Sequence, residues 1–211
     1  LEIAQNHGAL ISQPEDWPGF GPQKNRALAL ATGEWVLSLD ADERLTPALK
    51  SEILTAIHHS AHVDCFAIPR LSWYCGRFIR HSGWSPDYVD RLFKRGTARF
   101  SDDLVHERLI PSGQVAKLNN PMLHYSFMNY SQVLQKLDRY STASAEQAFA
   151  KGKTSNPLNA VLHGIWAFIR TYIIRAGFLD GAQGFALAIS NGQGTYYRYI
   201  KLWQLNQDAS K

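Results

Sequence analysis

Three carboxylates fall within four residues at Asp40-Ala41-Asp42-Glu43, directly after the apolar run Trp35-Val36-Leu37-Ser38-Leu39. On a turning backbone, the two-residue spacing of Asp40 and Asp42 can aim both side chains into one pocket. Clustered carboxylates repel unless something positive joins them. A hard divalent cation that also carries substrate phosphates is a natural partner, because Mg²⁺ is usually held by one or two carboxylates plus phosphate oxygens. The competing reading is a solvated turn that leads into the next helix. A second acidic segment, Asp102-Asp103-Leu104-Val105-His106-Glu107, offers candidates for a general base. Its alternation sets Glu107 on the side of apolar Val105 and Leu109, where desolvation favours the protonated carboxyl. Glu107 is the first choice and Asp103 the second. The alternative for Glu107 is a salt bridge to a neighbouring arginine. Lys24, Asn25 and Arg26 open a helix, and Arg91 and His124 stand near short apolar segments. His58, His59 and His62 crowd a helix end without a partner at zinc spacing and read as C-terminal charge decoration.

The elements that would position these groups alternate. Leu1–His7 reads as the end of a helix and Ala9-Leu10-Ile11 as a short strand. Gln23 to Ala31 is helical, and Trp35–Leu39 reads as a buried parallel strand. Thr46 and Pro47 open a helix to about His59, followed by a strand over Val63–Pro69. This order predicts an α/β sheet whose ligands bind beyond the carboxyl ends of its strands. Leu71 to Pro86 reads as a long aromatic loop. Short strands follow at Arg91–Lys94, Leu104–Ile110 and Val115–Leu118, and from Tyr130 the pattern is helical with a break around Gly152–Pro157.

Composition bounds the classes. The chain has 211 residues, 45% hydrophobic and 19% charged, which excludes a disordered tail and allows a sizeable core. Cys65 and Cys75 are its only cysteines, which excludes a disulfide scaffold and a four-cysteine zinc site. The net charge of +4 is unevenly placed: residues 1–111 hold 12 basic and 14 acidic side chains, residues 112–211 hold 10 and 4. The acidic chemistry therefore belongs to the first half, and the second half suits an anionic partner.

Three segments in order, Gly19-Phe20-Gly21-Pro22-Gln23-Lys24-Asn25-Arg26, Ala31-Thr32-Gly33-Glu34-Trp35-Val36-Leu37 and Leu39-Asp40-Ala41-Asp42-Glu43, resemble the inverting family 2 glycosyltransferases of GT-A fold. Asp40-Ala41-Asp42 matches the family's Asp-X-Asp motif. The resemblance implies a GT-A-like, Rossmann-like mixed sheet over residues 1–128, followed by a helical, membrane-associating extension over 129–211. It puts a Mg²⁺ or Mn²⁺ ligand at Asp42 and Asp40 beside the nucleotide. Lys24, Asn25 and Arg26 would line the donor site, with Arg91 at the diphosphate or acceptor. Glu107 would be the base that deprotonates the acceptor, and His124 a further metal ligand or diphosphate contact. It also implies that a first strand and an aspartate-bearing turn belong before Leu1.

Arg91-Leu92-Phe93-Lys94-Arg95-Gly96, Val105-His106-Glu107 and Gly177-Phe178-Leu179-Asp180-Gly181 extend the similarity to the lipopolysaccharide core β-1,4-glucosyltransferase subgroup. That similarity implies UDP-glucose as donor, a heptose-containing glycolipid acceptor and the cytoplasmic face of a bacterial inner membrane. Trp73, Tyr74, Trp84 and Tyr88 around Arg77 and Arg80 suit an anionic sugar acceptor, or else pack in a small core. No nucleic-acid motif accompanies them. Leu162, Ile165, Trp166, Ile169 and Ile173 form one helical face, while Arg170 and Arg175 interrupt any span. With the basic and aromatic residues of Tyr196–Trp203, this fits a helix lying on an anionic membrane surface, or packing on the core. Two other functions stay open on the residues alone: a nucleotidyltransferase on a related sheet, and a non-catalytic membrane-associated binding module.

Overall fold

The computed structural model describes residues 1–59, 62–102 and 107–209. The chain divides into two compact units, and strand β3 begins in one and ends in the other. The first unit comprises Leu1–Asp40, Pro47–Ile68 and Tyr88–Asn120; the second comprises Ala41–Thr46, Pro69–Asp87 and Pro121–Lys211. Both carry mixed sheet with flanking helices, as a GT-A-like α/β fold requires.

In the first unit, α1 (Glu2–Asn6) and α2 (Phe20–Ala29) precede β1 (Trp35–Leu37). β1 pairs antiparallel with β5 (Asp87–Lys94), Leu37 opposite Leu92, and β5 neighbours β3 (Cys65–Tyr74). Cys65 to Ala67 of β3 run parallel to β8 (Val115–Lys117). β6 (Ala98–Phe100) and β7 (Leu109–Pro111) form a separate antiparallel pair. Cys65, Phe93, Phe100 and Leu109 pack together, with Leu28 of α2 and Val36 of β1 against them. Helix α3 (Pro47–His59) is anchored differently: Glu52 accepts from the backbone N–H groups of Asn119 and Asn120, both at 2.8 Å.

In the second unit, β2 (Glu43–Leu45) pairs antiparallel with β9 (Met122–Phe127), and β9 runs parallel to the later residues of β3. β4 (Arg77–Phe78) turns back on β3 as a hairpin. Three long helices follow: α4 (Tyr130–Ala150), α5 (Pro157–Ile169) and α6 (Gly181–Asp208), with a π-turn at Arg170–Ile174 and a 3₁₀ turn at Gly177–Asp180 between the last two. Asn129 and Asn156 cap α4 and α5 by accepting from Gln132 and Asn159. Tyr74, Ile79, Val133 and Leu187 form the core between sheet and helices.

Three expectations are corrected. Ala9-Leu10-Ile11 is irregular rather than a strand; Leu10 is 76% exposed and has no sheet to cover it. Trp35–Leu37 is half-buried and antiparallel, where a buried parallel strand was expected. The segment from Leu71 is not a loop: β3 runs on through Pro69 to Tyr74, buried on both faces, and only Cys75 onward turns. Tyr74 is 1% exposed, and its ring meets Trp84, Phe127 and Tyr130 edge-on. Tyr74 is therefore a packing residue, as the alternative reading had it, while Trp84 packs on it and is half-buried. No helix among the described residues is long and apolar enough to cross a membrane.

Candidate functional site

The first unit gathers four charged side chains from four places in the chain. Gly21 faces the Ser101 carbonyl so closely that a methyl group would collide with it, so α2 lies tight against the segment after β6. Asn25 fixes the register there, donating to Phe100 O at 3.0 Å and accepting from Phe100 N at 2.9 Å. One residue before Asn25, Lys24 reaches two carboxylates: Asp40 at 2.9 Å and Glu107 at 3.0 Å. From the other side, Arg91 meets Asp40 at 2.6 Å, and the bond from Ser38 N to Arg91 O ties its strand to the end of β1. Burial pushes the Asp40 carboxyl up, but the Lys24 hydrogen bond and the Arg91 and Lys24 charges outweigh it and hold the group below the usual carboxylate value. Asp40 is thus an anion clasped by two cations.

The second unit holds a separate pair. The bond from Tyr125 N to Asp42 O, next to the pairing of β2 with β9, brings Asp42 to His124, with Nε2 to Oδ2 at 3.3 Å. The register that sets Ser72 opposite His124 places the Ser72 hydroxyl 3.1 Å from Nδ1. Burial, with the Arg70 and Lys136 charges, pulls the His124 pKa down against the opposing pull of Asp42 and Glu43, which favours the neutral ring. The Ser72 and Ser126 hydroxyls lie 3.1 and 3.3 Å from Nδ1, so either ring nitrogen can carry the proton; with it on Nδ1, Nε2 would offer Asp42 and a cation between them a lone pair, and a second hydrogen bond that orients the ring is typical of a metal-ligating histidine. Among the described residues no group of three or more His, Cys, Asp or Glu side chains could hold a metal ion. One carboxylate plus one imidazole nevertheless fits a hard cation that keeps phosphate oxygens and water as its other ligands.

The family model "Glycosyl transferase family 2" matches residues 1–116, more than half of the chain. The chain belongs to glycosyltransferase family 2. An uncharacterised glycosyltransferase of Rickettsia typhi is 28% identical over 218 residues, covering 98% of this chain and 74% of the relative. A counterpart from Rickettsia prowazekii is 27% identical with the same coverage. The lipopolysaccharide core biosynthesis glycosyltransferase LpsC of Rhizobium meliloti is 26% identical over 197 residues, 90% of this chain and 71% of LpsC. Membership makes this family 2 chain a glycosyltransferase, with a nucleotide sugar as donor and a glycan as acceptor.

Of the residues singled out from the sequence, the structure of this family 2 chain joins Lys24, Asp40, Arg91 and Glu107 in one cluster, and Asp42 with His124 in one pair. Glu107 is paired with a lysine, not an arginine. Asn25 uses its amide on the Phe100 backbone, and Arg26 grips Asp16 through two bonds of 2.9 and 2.7 Å. Asp103, with Leu104, Val105 and His106, lies outside the described residues. Ser72 was not singled out from the sequence, and Asp180 stood there only within the Gly177–Gly181 stretch. Ser72 carries no local signal and is found only through strand register. Asp180, fully buried, accepts from the backbone of Arg80 and His81 and from the Ser82 hydroxyl, which fixes the turn after β4.

The aromatic and basic residues late in α6 also have internal work. His163 stacks on Tyr199 at 4.1 Å, and Lys201 reaches Asp138 at 2.6 Å. The apolar side of α5 and of the turn after it is different: Leu162, Ile165 and Trp166 of α5 and Ile173 of that turn are each more than half exposed.

Proposed function

We propose that this chain transfers glucose from UDP-glucose to a lipopolysaccharide inner-core acceptor, with inversion at the anomeric carbon. The observation that carries the reading is the Lys24 ammonium, shared between Asp40 of the Asp-X-Asp motif and Glu107. The likeness to LpsC supports the acceptor class. Glu107 is the base: its carboxylate accepts the proton of an acceptor hydroxyl, whose oxygen attacks the anomeric carbon. The bond from that carbon to the donor phosphate breaks, and the diphosphate leaves with the electron pair. Lys24 is the cation for which that diphosphate competes. Its transfer from Glu107 to the phosphate leaves the carboxylate free to take the proton. Arg91 keeps Asp40 ionised and in place, while Asn25 and Arg26 hold the helix that presents Lys24. Asp42 and His124 would be the residues to hold Mg²⁺ or Mn²⁺, and such a cation would supply positive charge to the phosphate oxygens it ligates.

The same reading places the enzyme at the cytoplasmic face of a bacterial inner membrane, with the exposed side of α5 on lipid. The half-exposed Leu162, Ile165, Trp166 and Ile173, with Arg170 and Arg175 alongside in the sequence, support it.

Glu107→Gln tests the reading. The variant is expected to bind UDP-glucose as the native protein does and to lose transfer by about 10²–10⁴-fold, the usual worth of a general base. Transfer within about threefold of native would remove Glu107 as the base. A panel of nucleotide sugars, with product anomers assigned by NMR, tests donor and inversion together.

A further inference from the structure

Asp42 also lines one end of a cavity of ≈ 490 Å³ in the second unit, a volume in the range of small-molecule sites. One wall is a single face of α4, where Gln132, Gln135, Lys136 and Arg139 recur at helical spacing. Tyr125 and Ser126 of β9 complete the lining, together with Met128. The charges are lopsided. Lys136 and Arg139 stand three residues apart, and neither forms an ion pair among the described residues; their nearest organised contacts are aromatic, Phe127 under Lys136 at 4.5 Å and Tyr140 under Arg139 at 5.2 Å. The acid of the same stretch, Asp138, is turned to Lys201 instead. Asp42 is the one carboxylate in the lining. Two like charges on one helix face repel, so the arrangement is at its best with an anion between them.

We infer that this cavity is the acceptor subsite and that Lys136 and Arg139 bind an acidic substituent, phosphate or carboxylate, on the acceptor sugar. The inference rests on the glycosyltransferase reading and specifies its substrate as an anionic sugar. Gln135, Ser126 and Tyr125 supply the neutral donors and acceptors that sugar hydroxyls need. Gln132 is partly committed, since its side-chain oxygen accepts from Met128 N at 2.8 Å. The wall from Gln132 to Arg139 runs about 10 Å along the helix at 1.5 Å per residue, with Arg139 about one turn beyond Gln135 and Lys136.

The test compares glucose 6-phosphate, glucose and Mg²⁺–UDP as probes, each titrated by ligand-observed NMR into the native protein and into Lys136→Ala/Arg139→Ala. Native protein is expected to bind glucose 6-phosphate at least about tenfold more tightly than glucose, as two charge-assisted contacts would give. The double variant should lose that preference and keep UDP binding within about twofold. Equal affinity for the two sugars in the native protein, or no binding of either, overturns the inference. Parallel loss of UDP binding in the variant also overturns it, by assigning the two cations to the donor. Failure of Mg²⁺–UDP to bind the native protein would instead count against the glycosyltransferase site itself.

Discussion

Replacing Asp180 with alanine should be among the most damaging single changes in the second unit. The carboxylate is 0% exposed and accepts from Arg80 N at 3.0 Å, His81 N at 2.9 Å and Ser82 Oγ at 3.3 Å. Ser82 is itself 1% exposed and has φ 61°, so its turn cannot simply relax outward to water. The His81 ring also approaches Asp180, at 3.2 Å, but is 38% exposed and is given no share of the energy. Alanine strands two backbone N–H groups and a hydroxyl. At about 1–3 kcal/mol for each unsatisfied buried group, with partial rescue by entering water, the loss is about 3–5 kcal/mol. For a chain of this size each kcal/mol moves the midpoint by about 2–4 °C, so Tm should fall by about 6–20 °C. Asp180→Asn keeps one acceptor oxygen but turns an NH₂ toward a donor, and should fall between native and alanine. Differential scanning calorimetry on the three proteins is the assay. An alanine variant melting within 2 °C of native would refute the claim that this buried acceptor holds the turn.

Three further outcomes can be measured. Burial, with Asp90 nearby, pushes the Cys65 thiol up to about 12, so iodoacetamide at pH 8 should leave Cys65 unlabelled in native protein and label it in urea; peptide mass spectrometry reads both. Burial raises the Glu52 carboxyl, but hydrogen bonds from Asn120 and Asn119 outweigh it, so its folded pKa lies below the ordinary 4.5. Glu52 therefore stabilises the fold above about pH 4.5 and loses that contribution as pH falls through the folded value; urea melts of native protein and Glu52→Gln should differ at pH 7 and converge toward pH 3. Gly21→Ala drives a methyl group into the Ser101 carbonyl and should cost about 1–3 kcal/mol, with transfer falling as Lys24 shifts; an unchanged denaturation midpoint would contradict the close packing of α2.

Some of this was legible in the residues and some could not be. The apolar run before Asp40, the proline opening α3, and the helical periods of α4 to α6 are local signals, and the elements appear where those signals place them. The grouping of Lys24 with Asp40 was implied by the motif order. The longer course of β3 was hidden because Pro69 reads as a strand end, whereas a proline can sit in a strand wherever its missing N–H is not needed. β9 mixes histidine and serine with apolar residues, so neither face declares itself; its place depends on β2 and β3 flanking it. The Ser72–His124 contact follows from that register and has no counterpart in the local sequence. Tyr74 invited a ligand reading because composition cannot tell a stacking platform from a packed ring.

The uncovered side of α5 has a consequence for how the protein behaves in a tube. Its apolar groups gain from added sulfate, because excluded salts strengthen the burial of such surface. The attraction of Arg170 and Arg175 for any negative surface weakens as ionic strength rises. The two responses run in opposite directions. In sodium chloride the basic contribution fades first, and in ammonium sulfate the apolar one grows. With α5 on an anionic surface as proposed, a purification that swaps one salt for the other should therefore move this protein between release from that surface and self-association, through the side chains of a single helix and the turn that follows it.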